Sequence, residues 1–314
     1  MTNSLKIIFL CTFLFSSTTN FLQSKPFEST YEPLPAEKIL ITNASIYDGD
    51  GNEYKNTDVL VQDGKIVAIG EDLPAPEDFR IIDATGKWVT PGIIDIHSHM
   101  GVYPAPGVRT SSDGNEATSP VTADVWAEHS MWVQDPQYAL ALTGGVTAFH
   151  VLPGSANLIG GRGVTVKNLQ RTTINSMKFP DAPHSLKMAC GENPKRVYGN
   201  RGQAPSTRMG NAAGYRKSWI QAEGYLRKLV EYEEKSDEAK ELEYAPRRDL
   251  EMETLAGVLK GEILVHNHCY RADEMATMID IAKEFNYKIT AFHHGVEAYK
   301  IADLLADNGI CGAL

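Results

Sequence analysis

Three short apolar runs in this chain end in histidine pairs, and that pattern restricts the fold more than any other feature. Gly92-Ile93-Ile94-Asp95-Ile96 runs into His97-Ser98-His99, Ile263-Leu264-Val265 into His266-Asn267-His268, and the run 288–292 into His293-His294. Apolar runs of this length, bounded by turn residues, read as buried strands. From position 263 they alternate with helical patterns: a helix over 273–285, a strand over 288–292, a helix over 298–308, and Ile310-Cys311 opening another strand. Such alternation predicts a parallel sheet of βα repeats.

Upstream, 145–151 is a second strand ending near His150, 163–166 a third and 185–190 a fourth. A charged helical region over 214–259 follows, with Trp219, Ile220, Leu226, Leu229 and Val230 at helical spacing and its Lys and Glu residues on a solvated face. Seven strands, each followed by a crossover, predict an α/β fold: a (β/α)8 TIM barrel over 91–314 that stops in its seventh strand. Ahead of it, 35–90 reads as a small β module too short to be a domain alone. Its strands are 39–47, the segment 59–69 around the turn pair Asp63-Gly64, and 79–82 before a turn at Gly86.

Residues 1–24 have the layout of a secretory signal peptide, with Lys6 ahead of the apolar run 7–15 and small polar residues after it. That run is far short of the roughly 20 residues that span a bilayer, so the expectation is a secreted or periplasmic protein with no membrane attachment after cleavage. Thirty Lys and Arg against forty Asp and Glu give a net charge of -10, which argues against nucleic acid or an anionic membrane and for a small-molecule partner. Self-association is left open. Cys190, Cys269 and Cys311 are scattered, imply no disulfide framework, and read as buried free thiols; Cys269, next to His268, is the one to watch as a metal neighbour.

Side chains two apart on a strand share a face, so His97 and His99 present two imidazoles at the C-terminal end of the first barrel strand. Imidazole is the commonest neutral ligand of zinc and similar ions, and burying several without a shared partner is costly. The strand-end histidines therefore point to a divalent metal site. His150 is a candidate for lining the substrate pocket. Arg162, in the apparent loop 160–163, either meets a substrate carboxylate or belongs to a plain turn. Tyr198, with Arg201 and Arg208, lies in a Gly- and Pro-rich stretch long enough to form a lid, and is a candidate substrate contact.

The segment VTPGIIDIHSHMG, preceded by LITNASIYDGDG and VLVQDGKIVAIG, resembles the amidohydrolase superfamily in its imidazolonepropionase-like and prolidase-like branch. GENPKRVYG, VHNHCYRADE and HHGVEAYKIADLLADNGI resemble the same branch, so the likeness runs from about position 38 onward. It implies a metal-dependent hydrolase in which a small β-sandwich module, completed by strands that return after the barrel, accompanies the barrel. It places His97 and His99 on the more buried ion and His268 and His294 on the other, with His266 and His293 as supporting neighbours. The bridging ligand would be Glu192 or Lys187. Glu192 is preferred because it is anionic without modification, whereas Lys187 must first add CO2. The implied cofactor is zinc, one or two ions, and the implied reaction is hydrolysis of an amide, cyclic amide or peptide C–N bond by metal-activated hydroxide. An N-acetyl-sugar deacetylase and a noncatalytic metal-binding remnant are the alternatives. The catalytic aspartate of the eighth strand would fall beyond Leu314, so no catalytic residue is assigned, and the parent chain is expected to run on by roughly a hundred residues.

Overall fold

The computed structural model describes residues 25–314. The expected leader, residues 1–24, lies outside the described residues.

The first unit is a five-stranded sheet of β1 (Ile39–Tyr47), β2 (Glu53–Gln62), β3 (Lys65–Gly70), β4 (Arg80–Asp83) and β5 (Trp88–Val89), ordered β3-β2-β1-β4 with β5 also on β1. Asp63 and Gly64 both adopt positive φ, 53° and 71°, which is the backbone a two-residue hairpin needs between β2 and β3. Ala44, Ile46, Val59 and Ala84 form its small core. Among the described residues the module is a single five-stranded sheet. Ile66, Ile81 and Trp88 stand exposed on it.

The second unit holds, in chain order, β6 (Ile93–Ser98), α1 (Gln137–Thr143), β7 (Val146–Val151), β8 (Ile159–Lys167), β9 (Ser185–Ala189), α2 (Glu192–Gly199), α3 (Arg208–Glu233), α4 (Asp237–Leu242), α5 (Leu250–Leu259), β10 (Leu264–His268), α6 (Ala272–Glu284), β11 (Ile289–His293), α7 (Ala302–Asp307) and β12 (Cys311–Ala313). The seven strands β6 to β12 lie side by side in sequence order, a curled α/β sheet of the barrel type. Not all are parallel: β8 runs antiparallel to both β7 and β9. The physical reason is the connection. Only residues 152–158 join β7 to β8, and a parallel crossover needs about a dozen or more.

The charged helical region is divided into three helices. Thr207 caps α3 by accepting from the Gly210 amide, Ser236 caps α4 at Ala239, and Asp249 caps α5 at Glu251 and Met252. Tyr215, Trp219, Ala222 and Leu229 form the buried stripe of α3, while Ile220, expected to pack, is exposed. On the sheet, Leu186, Met188, Val265 and Phe292 face this stripe together with Leu255 of α5 and Met278 of α6. Strand alternation then turns Lys187 to the opposite face, inside the curl, with His266 beside it in register.

The thiol expectation is also corrected. Cys190 and Cys269 are paired as a disulfide with Cα atoms 5.2 Å apart. Ala189 and His268 are register partners on β9 and β10, so the next residue on each strand meets its counterpart. Cys311 is exposed, not buried. Among the described residues no helix is long and apolar enough to cross a membrane.

Candidate metal centre

Six imidazoles meet at the C-terminal ends of β6, β10 and β11. Ring centroids are 5.0 Å apart for His97 and His99, 4.5 Å for His97 and His294, and 4.8 Å for His294 and His268. A second branch runs from His97 through His293, at 4.6 Å, to His266, at 5.1 Å. Here the rings hydrogen-bond to each other: the Nδ1 atoms of His97 and His293 are 2.8 Å apart, and so are His293 Nε2 and His266 Nδ1.

Neighbouring strand residues normally point to opposite faces, so His293 and His294 should not both reach His97. His294 has φ +56°. That left-handed backbone, which costs an L-residue about 1–2 kcal/mol, breaks the alternation and brings both rings into the same group.

Lys187 lies fully buried in the middle of β9, its Nζ donating to the Pro153 carbonyl at 3.0 Å. Burial pushes its pKa down to about 7. The imidazoles are held below their ordinary value first by burial and then, for His97, His99, His293, His294 and His268, by the Lys187 charge; His268 and His293 fall to about 3. The rings are therefore neutral near pH 7, with lone pairs available to a cation.

The connection between β7 and β8 supports this group at three successive points. Leu152 O accepts from His99 Nδ1 at 2.8 Å, Pro153 O accepts from Lys187, and Ser155 Oγ lies 3.0 Å from His268 Nδ1. The loop is fixed by Leu152 N donating to Ser98 O and Gly154 N to Gly114 O. A Cβ at Gly154 would sit 2.1 Å from Asn115 Oδ1, so a larger residue there would have to displace that side chain. On the other side of His268, Asn193 Nδ2 lies 3.1 Å from its Nε2. Ser155 and Asn193 escape a reading of the sequence, since neither residue type in a loop or first helical turn marks a site by itself.

Among the described residues, no group of three or more His, Cys, Asp or Glu side chains is arranged to hold a metal ion as it stands. The donor set nonetheless fits a divalent cation in kind. It consists of neutral imidazoles, and His97 Nε2 is buried without a hydrogen-bond partner, an expensive condition for a ring nitrogen.

The other expected residues fall into place as follows. Glu192 is exposed in the first turn of α2, because β9 ends at Ala189 and Gly191, at φ +69°, turns the chain into the helix. The geometry thus sets Lys187 beside His266 in the sheet and Glu192 on an exposed helical turn. His150 borders the group, its ring 4.4 Å from His266 and its Nε2 2.7 Å from Ser185 Oγ. Arg162 lies within β8, not in a loop; it is buried, donates to Thr254 Oγ1 and stacks over Trp126 at 4.2 Å. Tyr198 is buried on α2, and its hydroxyl donates to Ser119 O at 2.6 Å. These contacts tie Arg162 and Tyr198 to the scaffold. Arg208, also expected in a lid, is the first residue of α3 and pairs with Glu274.

A cavity of about 410 Å3 adjoins the supporting loop, with Pro153, Asn115, Glu116, Asp124 and Trp126 in its wall. That volume suits a small molecule.

The chain is 41% identical to an amidohydrolase of Thermotoga maritima MSB8 whose crystal structure superposes with a TM-score of 0.79, covering 88% of this chain and 69% of that one. It is 37% identical over 266 residues to the amidohydrolase tasK of Hapsidospora irregularis, covering 79% of this chain but spanning only 27% of that protein's length. A deacetylase of Brucella anthropi is 42% identical over 67 residues, 21% of this chain and 17% of that protein. No protein-family model matches the chain.

Proposed function

This chain belongs to the amidohydrolase superfamily, and on that premise we propose that it is a metal-dependent hydrolase of amide-type C–N bonds in a small molecule. The observation that carries the reading is the convergence of neutral imidazoles at the strand ends, with buried Lys187 in register beside His266. His97, His99, Lys187, His268 and His294 are the residues that would hold the metal, with zinc, as one or two ions, the proposed species. When bound, such a cation acidifies water and polarises the carbonyl under attack.

The chain's own residues supply orientation. Leu152 O takes the Nδ1 proton of His99 and so leaves its Nε2 lone pair bare. Pro153 O holds the Lys187 amine, which in its neutral form adds CO2, losing one proton, to give a carbamate with two anionic-type oxygens. The net charge of -10 favours a substrate that is not a polyanion. Export by the 1–24 segment to a secreted or periplasmic location belongs to the proposal as well.

The test is turnover after chelation and metal return, using N-acyl amino acids, Xaa-Pro dipeptides, cyclic amides and N-acetyl sugars. Hydrolysis of one class, restored by zinc or manganese and lost in His97→Ala, is the expected result. Full activity in the chelated protein would contradict the proposal. The similarity to a deacetylase favours including N-acetyl substrates, and a chain that binds zinc yet turns over none of the four classes favours the noncatalytic reading.

A further inference from the structure

Residues 26–32 run along the segment 174–179, which itself flanks β8 through the Phe179 amide donating to Thr165 O. A few contacts hold them there. The Ser29 hydroxyl donates to Lys178 O at 2.8 Å, the Thr30 amide to Asn175 O at 2.9 Å, and Arg171 Nη2 to Glu32 O at 2.9 Å. In the other direction Lys178 Nζ donates to Phe27 O at 2.8 Å and lies 5.7 Å from the centre of the Phe27 ring. The same ring is 5.9 Å from His129, which stacks on Trp126 at 5.1 Å. Trp126 and His129 both line the 410 Å3 cavity. Phe27 therefore joins a buried ammonium to one wall of that cavity.

The two sides of this contact differ in stability. Lys178 is 4% exposed and has a partner inside the fold, Glu128 at 2.7 Å, so its charge is not stranded when residues 26–32 leave. Residues 26–32 belong to no helix or strand, and Phe27 is 61% exposed. A segment with few buried contacts and solvent-exposed hydrogen bonds opens locally, at a cost well below that of global unfolding. We propose that residues 26–32 form a latch. Closed, it seals Lys178 from solvent and braces His129 against Trp126. Open, it exposes Lys178 and loosens the 126–130 wall of the cavity, while the seven-stranded sheet and its imidazoles stay in place.

The test uses the full chain and two readouts: hydrogen–deuterium exchange resolved by peptide, and acylation of lysine amines by a water-soluble N-hydroxysuccinimide ester. Lys187, fully buried in β9, is the internal control. Thr30→Pro deletes the amide that donates to Asn175 O. It should raise exchange over 126–130 and 174–179 by about 3- to 10-fold, the worth of one net hydrogen bond, and open Lys178 to the reagent while Lys187 stays unreactive. Phe27→Ala keeps the carbonyl that holds Lys178 and removes the ring, so it should raise exchange over 126–130 more than over 174–179. Lys178 as unreactive in Thr30→Pro as in wild type, or unchanged exchange over 126–130 in Phe27→Ala, would overturn the proposal. So would faster exchange spreading through β9 to β11, or a Thr30→Pro chain that does not fold, because the segment would then be part of the global fold and no latch.

Discussion

Lys187→Met should make the metal-free protein more stable while destroying its metal site. Lys187 is fully buried, and its fall from an ordinary pKa of 10.5 to about 7 corresponds to about 5 kcal/mol. Below pH 7 both folded and unfolded chains carry the charge, and the native state bears the whole burial cost. Between 7 and 10.5 the unfolded chain holds a proton that the native chain has lost, so stability rises with pH across that window. Methionine removes this cost but leaves the Pro153 carbonyl without its donor, a loss of about 1–3 kcal/mol. The net gain at pH 7 is then about 2–4 kcal/mol, shrinking by roughly 2–3 kcal/mol at pH 9 as the wild-type amine discharges in the folded state at lower cost. Urea unfolding of chelator-treated wild type and variant at the two pH values measures it. A variant less stable than wild type at pH 7, or a difference that does not shrink at pH 9, would refute the reasoning. Loss of zinc in the same variant, with retention in Glu192→Gln, would show the lysine to be the ligand of the two.

Two further outcomes concern the scaffold around the site. Glu128 is buried between Lys178, at 2.7 Å, and His184, at 3.2 Å; Glu128→Gln strands a buried ammonium and should cost about 3–5 kcal/mol in urea unfolding, with much of the loss recovered in the Glu128→Gln, Lys178→Met double variant. The Cys190–Cys269 link closes a loop of sequence separation 79, so Cys269→Ser should lower the unfolding free energy by roughly 4–5 kcal/mol, and a dithiol reductant should lower the wild type equally while leaving the variant unmoved.

The strand ends were readable because histidine is rare enough, and apolar runs are regular enough, for three coincidences to carry meaning. His97, His99, His268 and His294 do come together in space, at ring contacts of 4.5 to 5.0 Å. What escaped depends on pairing and burial. The direction of β8 was hidden by Gly160-Gly161-Arg162-Gly163, which looks like a turn, although the seven residues 152–158 before the strand are too few for a helical crossover. The disulfide follows from the register of β9 on β10, which a single sequence does not state. Lys187 and Glu192 are five positions apart, and only the strand's end at Ala189 puts one inside the sheet and the other on an exposed helical turn. The carbonyls of Leu152 and Pro153 have no sequence signal at all, since every residue has one.

Zinc stoichiometry of the purified chain, wild type against His97→Ala, tests the central claim most directly. His97 is the ring that touches both branches of the cluster and has the buried, unpartnered Nε2. Elemental analysis after equilibrium dialysis should give one or two zinc ions per wild-type chain and a clear loss in the variant. A wild-type chain with zinc no higher than the dialysis buffer, or a His97→Ala chain that keeps its full complement, would contradict the account.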